Sequence, residues 1–393
     1  MSSVTPSAPF HARHYRTKAA LSFTVADGRF AAVVPYAGTE STHSLPLIAP
    51  GLVDLQVNGF AGVDFNRAEG LTPATWEKAC HALLQSGCTA FLATLITHTA
   101  EETSALLALL AARLAEHPLN CVGIHLEGPF LNPDPGTCGA HDPARMIVPD
   151  ETLFTRWQEI AGGRIRRITL APEVAPEVSL PFIRKRVAEG VRISVGHSLA
   201  MGDLLREAVD AGASSWTHLG NAMPRQVDKF DNVILHALAE ERLAVSLIPD
   251  GEHLPDHVFR ALARALGPRL HLTTDAMAGA GVTMTANPPE TVTLGYRTVA
   301  LDHATGRAVL PGSGRLAGAT LLPFVGVSTA VKVSGLTRAE CWEAFSVRPA
   351  KWIGLAPGND LAVGHEAKFC LFTPQPEGTA FMTVHFGGLS SGS

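Results

Sequence analysis

Five strings in the chain place metal-binding or proton-carrying groups at the end of a short apolar run. They are His125-Leu-Glu127-Gly-Pro129, Ser194-Val-Gly-His197-Ser198, Thr217-His218-Leu-Gly-Asn221, Asp250-Gly-Glu-His253 and Thr274-Asp275. A sixth run ends Asp54-Leu-Gln56-Val-Asn58. Zn2+ takes imidazole nitrogen and carboxylate oxygen, and a catalytic site needs three protein ligands with one position left for water. Glu127, His197 and His218 offer such a set from three nearby runs. Any one of them alone reads more simply as a hydrogen-bonded loop or core residue. Together they share a register, and a β/α barrel collects its active-site residues at the C-terminal ends of several strands.

That placement requires eight strands in order. The apolar runs Leu52–Val57, Ala90–Leu95, Cys121–Leu126, Arg166–Leu170, Val191–Val195, Ser215–Leu219, Leu243–Ile248 and Leu270–Thr274 supply them. Helical periods fall between them at Pro73–Ser86, Glu101–Glu116, Pro181–Glu189, Gly202–Ala211 and Pro255–Leu266. Thr72 and Thr99 read as caps and Pro255 as a first-turn proline. Strands alternating with helices predict an α/β fold, an eight-fold (β/α)8 barrel of the TIM type. No G-x-G-x-x-G follows the first strand, which counts against a dinucleotide-binding sheet. The ends read as β-hairpins, Leu21–Val25 with Phe30–Val34, and Lys368–Phe372 with Thr383–Phe386 across a Pro/Gly turn. They predict a small flanking β-sandwich domain built from residues 1–49 and 358–393 around a barrel at 50–357. Residues 291–318 predict a hairpin inserted after the eighth strand, with helices returning at Leu321–Lys332 and Arg338–Phe345. The only low-complexity stretch is the Gly/Ser tail at 387–393.

Composition removes other classes. With 393 residues and 46% hydrophobic content, the chain can fill a large core. Its net charge of -5 leaves no basic field for nucleic acid. The longest apolar runs, such as Ala105 to Ala112, are too short for a bilayer, so no membrane partner is expected. The first residues lead to His11, Arg13, His14 and Arg16 rather than to an apolar stretch, so no secretory signal is read. Six cysteines without a C-x-x-C pair predict reduced, buried thiols in a cytoplasmic protein.

Taken in order, Gly51-Leu-Val-Asp-Leu-Gln-Val-Asn-Gly59, His125-Leu-Glu-Gly-Pro-Phe130, Gly196-His-Ser198, Thr217-His-Leu-Gly-Asn-Ala-Met-Pro224, Asp250-Gly-Glu-His253, Thr274-Asp-Ala276 and Leu316-Ala-Gly318 resemble the N-acetylglucosamine-6-phosphate deacetylases of the amidohydrolase superfamily. The likeness runs from about residue 50 to 370. It implies a homodimer that binds a small amino-sugar substrate and hydrolyses the N-acetyl group of N-acetylglucosamine 6-phosphate. Glu127, His197 and His218 match the family's metal ligands and Asp275 its catalytic acid/base. His253 and His141 match substrate-contacting histidines, and Asn221 and Ala222 match the turn that holds the sugar and phosphate end. Two departures stand out. Many amidohydrolases carry H-x-H on the first strand for a second metal, where this chain has Gln56-x-Asn58. Amides bind zinc poorly, so one divalent metal per chain, Zn2+, is expected. The family's phosphate-gripping Arg has no clean counterpart after Pro224, which leaves Arg225 and Lys229 as candidates.

The implied chemistry needs an activated water, a proton carrier and an oxyanion donor. A catalytic metal lowers the pKa of water to around 7. Asp275 would pass a proton from that water to the leaving amine, and His253 would donate to the carbonyl oxygen. The rivals are an amidohydrolase for another N-acyl sugar, unphosphorylated or the galactosamine epimer, or for a small amide, and a catalytically silent binding barrel. For Asp275 the competing roles are a helix N-cap and a hydrogen-bond partner that orients a metal-binding histidine.

Overall fold

A computed structural model describes residues 8–39, 41–282, 288–355, 361–375, 378–386 and 389–392. Eight parallel strands form the barrel: Leu52–Val57, Cys88–Leu95, Cys121–Glu127, Ile165–Leu170, Arg192–Val195, Ser215–Trp216, Ala244–Leu247 and Leu270–Leu272. Each pairs in parallel with the next. The ring is drawn shut by a parallel bridge from Val57 to Ala276, where the Asn58 N–H donates to the Ala276 carbonyl at 2.7 Å. Every residue of the first two strands is buried, as expected for strands covered on one face by helices and on the other by the barrel interior.

The helices on the outside are Pro73–Gln85, Ala100–Glu116, Glu151–Ile160, Pro176–Ala188, Gly202–Asp210, Val233–Ala239 and Asp256–Leu266, followed by Pro323–Ser334, Arg338–Ala344 and Val347–Ile353. Thr72 and Thr99 each accept from the N–H three residues on and close a capping box. Three details differ from the sequence expectation. Pro255 is the cap itself, with the helix starting at Asp256. The fourth helix begins at Pro176, which takes the first-turn position and leaves Pro181 inside the helix. Glu151–Ile160, Val233–Ala239 and Val347–Ile353 carry too little helical periodicity to be read ahead, since each is held by only two or three buried side chains.

The two chain ends share one seven-stranded sheet in the order 389–392, 378–386, 369–375, 47–50, 10–14, 20–26, 29–35. Both expected hairpins are present. The strands Phe10–His14 and Leu47–Pro50, not anticipated, join them in parallel with each other. The sheet curls until Phe30 and Ala367 exchange backbone hydrogen bonds with His365 and Gly28. Phe23, Phe30 and Phe369 pack inside the curl. Residues 389–392 of the Gly/Ser tail pair as a strand. The rest of that tail, the first seven residues and the turn at 376–377 lie outside the described residues. The insert after the eighth strand is a three-stranded meander, Thr291–Leu294, Arg297–Asp302 and Arg307–Val309. All six cysteines are buried and unpaired, and no helix among the described residues is long and apolar enough to cross a membrane.

Candidate active site

Where the barrel strands end, the backbone turns sharply. The sixth and eighth strands end at Trp216 and Leu272, short of their apolar runs, and just beyond them His218 (φ 32°) and Asp275 (φ 53°) leave the extended region. His197 (φ 52°) and Ala222 (φ 49°) do the same. Left-handed backbone is costly for residues with a side chain and gathers where function requires it. Four of the nine such residues among those described meet in one cavity. Gly128, at φ 91°, turns the chain away just after Glu127, where a Cβ would strike the Thr97 hydroxyl.

Glu127 is the hub. One carboxylate oxygen, Oε1, lies 2.9 Å from His218 Nε2 and 3.4 Å from His197 Nε2, and the other, Oε2, lies 3.6 Å from His141 Nε2. All four side chains are buried. The potential ligand atoms of Glu127, His141 and His197 lie within 4.8 Å of one another, a group able to hold a metal ion. The hydrogen bonds behind the rings distinguish the histidines. His197 Nδ1 donates to the Thr137 carbonyl at 2.8 Å, and the tautomer this selects turns a bare Nε2 toward a carboxylate. Two acceptors facing each other are reconciled by a cation between them. His141 Nδ1 instead accepts from the Thr97 N–H at 3.2 Å, which puts the proton on Nε2 and makes it a donor. His218 Nε2 donates to Glu127 Oε1 at 2.9 Å, and its Nδ1 is buried with no partner among the described residues, so no hydrogen bond behind the ring opposes moving that proton to Nδ1 and baring Nε2 for a cation. The donor set therefore fits a divalent metal, with His141 close by in the tautomer of a hydrogen-bond donor.

Charge in the site follows burial and these contacts. Burial pushes Glu127 up, but the three imidazoles gathered around it, His141, His197 and His218, outweigh it and hold the carboxyl well below the usual range. Burial pushes His141 down to about 4. Asp275 is pushed up to about 7, first by burial and then by the charge of Glu127. Its Oδ1 accepts from Asn58 Nδ2 at 2.7 Å and from Gln56 Nε2 at 3.1 Å, and Gln56 also donates to Glu127 at 2.7 Å. Two amides thus tie the carboxylates together. No helix starts at Asp275, so the N-cap role is excluded. Its turn is held from below by Asp54, which accepts from the hydroxyls of Thr273 and Thr274. It is held from the side by the Ala319 N–H, which donates to the Asp275 carbonyl.

The cavity, about 510 Å³, is lined by Glu127, His141, His197, His218, His253 and Asp275, with Asn221, Ala222 and Arg225 toward its mouth. Burial opposes protonation of His253, but Asp250, 2.6 Å from its Nδ1, prevails and raises its pKa. Lys229 is the correction. It does not line the cavity, and its ammonium lies instead over the ring of exposed Phe230, 4.9 Å from the centroid. Two arginines that sequence reading missed do line it, Arg307 and Arg315. Arg315 donates to the Pro135 and Gly139 carbonyls, and Arg307 lies 3.3 Å from Glu252. Their one sequence signal was position, just before Leu316-Ala-Gly318. Arg225 has no hydrogen-bond or ion-pair partner among the described residues.

Comparisons with known proteins point to one family. Residues 47–388 match the family model described as "Amidohydrolase family". The chain is 32% identical over 375 residues to the N-acetylglucosamine-6-phosphate deacetylase of Bacillus subtilis, covering 91% of this chain and 87% of that one. It is 33% identical over 332 residues to the N-acetylgalactosamine-6-phosphate deacetylase of a Shewanella species, covering 81% and 77%. A variant of the Mycobacterium smegmatis N-acetyl-D-glucosamine-6-phosphate deacetylase, solved in complex with N-acetyl-D-glucosamine-6-phosphate, superposes with a TM-score of 0.83 at 28% identity, covering 98% of this chain and 99% of that one. The chain therefore belongs to the amidohydrolase family, metal-dependent hydrolases of amide bonds, and within it to the N-acetylglucosamine-6-phosphate deacetylases and their galactosamine-phosphate relatives.

Proposed function

We propose that this chain hydrolyses the N-acetyl group of N-acetylglucosamine 6-phosphate, giving glucosamine 6-phosphate and acetate. The observation that carries the reading is Asp275, held by Gln56 and Asn58 across from the Glu127 cluster at the floor of one polar cavity. In this reading Glu127, His197 and His218 hold a single divalent cation, Zn2+. When bound, such a cation supplies Lewis acidity, which makes water acidic near neutral pH and polarises a carbonyl. Asp275 takes a proton from the attacking water as oxygen bonds to the carbonyl carbon. It then delivers that proton to nitrogen as the C–N bond breaks. His253, oriented by Asp250, donates to the carbonyl oxygen as charge collects there. His141 Nε2–H holds the acetyl end. Asn221 and Ala222 hold the sugar, and Arg225 with Arg307 and Arg315 faces the phosphate across the mouth.

The proposal also covers the working unit: a barrel at 50–357, a small domain from 1–49 and 358–393, and a homodimer acting in the cytoplasm. A second reading, the galactosamine epimer, is favoured by the relatives that carry that activity in their names and by the departure after Pro224. Acetate release from N-acetylglucosamine with and without its 6-phosphate, and from the phosphorylated galactosamine epimer, separates the two. Equal kcat/KM for phosphorylated and plain sugar would remove the phosphate from the reading. Preference for the galactosamine epimer would replace the substrate.

A further inference from the structure

Arg315 stands at the mouth of the cavity, and its guanidinium is already engaged with protein. It reaches from beyond the meander insert to the turn at 135–141, where Nη2 donates to the Pro135 carbonyl at 3.2 Å and Nη1 to the Gly139 carbonyl at 3.3 Å. Cys138 Sγ lies 3.4 Å from the same Nη1. The turn closes on itself through three N–H groups. Those of Thr137 and Cys138 donate to the Asp134 carbonyl at 2.9 and 3.0 Å, and that of His141 donates to the Cys138 carbonyl at 2.9 Å. Among the described residues no backbone N–H reaches the carbonyls of Pro135, Thr137 or Gly139. Arg315 takes the first and the third. The second, Thr137, accepts from His197 Nδ1 at 2.8 Å. The carbonyl that selects the His197 tautomer therefore sits between the two that the guanidinium holds. The turn also packs closely on that ring, since a Cβ on Gly139 would come within 3.2 Å of His197 Cε1.

We propose that Arg315 is a positioning residue for the metal centre: by clamping the 135–141 turn at two carbonyls it keeps the Thr137 oxygen on His197 Nδ1, and so keeps His197 Nε2 bare for a cation. This rests on the reading of Glu127, His197 and His218 as the ligands, and adds to it a residue that acts on one of them through the turn. A group that fixes the tautomer and orientation of a ligating imidazole raises metal affinity, because the ring has neither to shift its proton nor to turn before it binds. A guanidinium suits the task. Its planar fork presents donors in fixed directions to two acceptors at once, whereas the ammonium of lysine is a compact point charge.

The test is the Zn2+ affinity of the full chain, measured by competition with a chromophoric chelator below the melting temperature of every variant. Arg315→Ala should bind Zn2+ about tenfold more weakly than the parent, the low end of what loss of a ligand-orienting group costs. Removing a positive charge would by itself strengthen the binding of a cation, so a weakening reports the lost clamp and not the lost charge. Arg315→Lys should weaken Zn2+ nearly as much, because the charge stays and the fork goes. Arg307→Ala, which removes a charge at the same mouth, should bind Zn2+ no more weakly than the parent. If Arg315→Ala melts too low to titrate, Arg315→Lys carries the comparison. Parent-like Zn2+ affinity in both Arg315 variants would overturn the proposal, and so would an equal weakening in Arg307→Ala. His197→Ala, titrated alongside, tests the ligand reading separately. Unchanged affinity there would overturn that reading, whereas loss there with none in Arg315→Ala would overturn the clamp alone.

Discussion

Asp275→Asn separates catalysis from architecture. In the folded chain Asp275 Oδ1 accepts two amide donors, at 2.7 and 3.1 Å. An Asn oxygen can keep both, so the turn should survive the change. What disappears is the capacity to take and return a proton, a loss expected to lower kcat by roughly 10²–10⁴, about 3–5 kcal/mol of transition-state stabilisation. Stability should move the other way. Burial and the charge of Glu127 raise the Asp275 carboxyl from 3.8 to about 7. An acid whose folded pKa lies above its unfolded one binds its proton more tightly when folded. Its destabilising effect is absent below about pH 4, grows through pH 7 and is complete above it. Removing the carboxyl should therefore stabilise the chelated, metal-free protein at pH 8 by on the order of 4 kcal/mol, with no difference at pH 4. Urea unfolding at the two pH values measures this, and single-turnover acetate release at pH 8 measures the rate. A variant with kcat within a few-fold of the parent would refute the proton-carrier role. A variant that no longer binds metal would show Asp275 to be a ligand.

Three other outcomes follow from the geometry. Dialysed protein should retain one metal per chain by elemental analysis. His197→Ala should lose it, whereas His141→Ala, with its donor tautomer, should keep it and lose rate; the reverse pattern would move the ligand set to His141. Arg225→Ala should reduce kcat/KM for the phosphorylated sugar about tenfold to a hundredfold and leave the plain sugar unchanged, and Lys229→Ala should change neither. Burial lowers His98 to about 4 and His271 to about 3, so in the folded protein both stay neutral while the unfolded chain takes up protons below pH 6.5. Stability should fall as pH drops through that window, and His271→Gln should flatten the slope by about 1.4 kcal/mol per pH unit between pH 6 and 4; unchanged slopes in urea titrations would count against it.

Much of this protein can be read from local sequence because the interactions concerned are local. The barrel strands are apolar runs because strands covered on both faces admit little else, and Leu52–Val57 was located to the residue. Thr72 and Thr99 were legible because a cap answers to a backbone N–H only three residues away. The metal-binding types at strand ends were visible because each strand contributes its own few residues. What those residues do to one another depended on contacts across the chain. The carbonyl of Thr137 turns His197 into a bare acceptor, and the N–H of Thr97 turns His141 into a donor; both partners are distant in sequence, and no motif records them. Arg315 reaches the cavity, and Lys229 misses it, through the course of a meander and a loop. The strands at 10–14 and 47–50 exist as partners in a sheet assembled from both ends of the chain. Residue type and short-range periodicity are properties of a segment, whereas tautomer, ion pairing and sheet order belong to neighbours that only folding supplies.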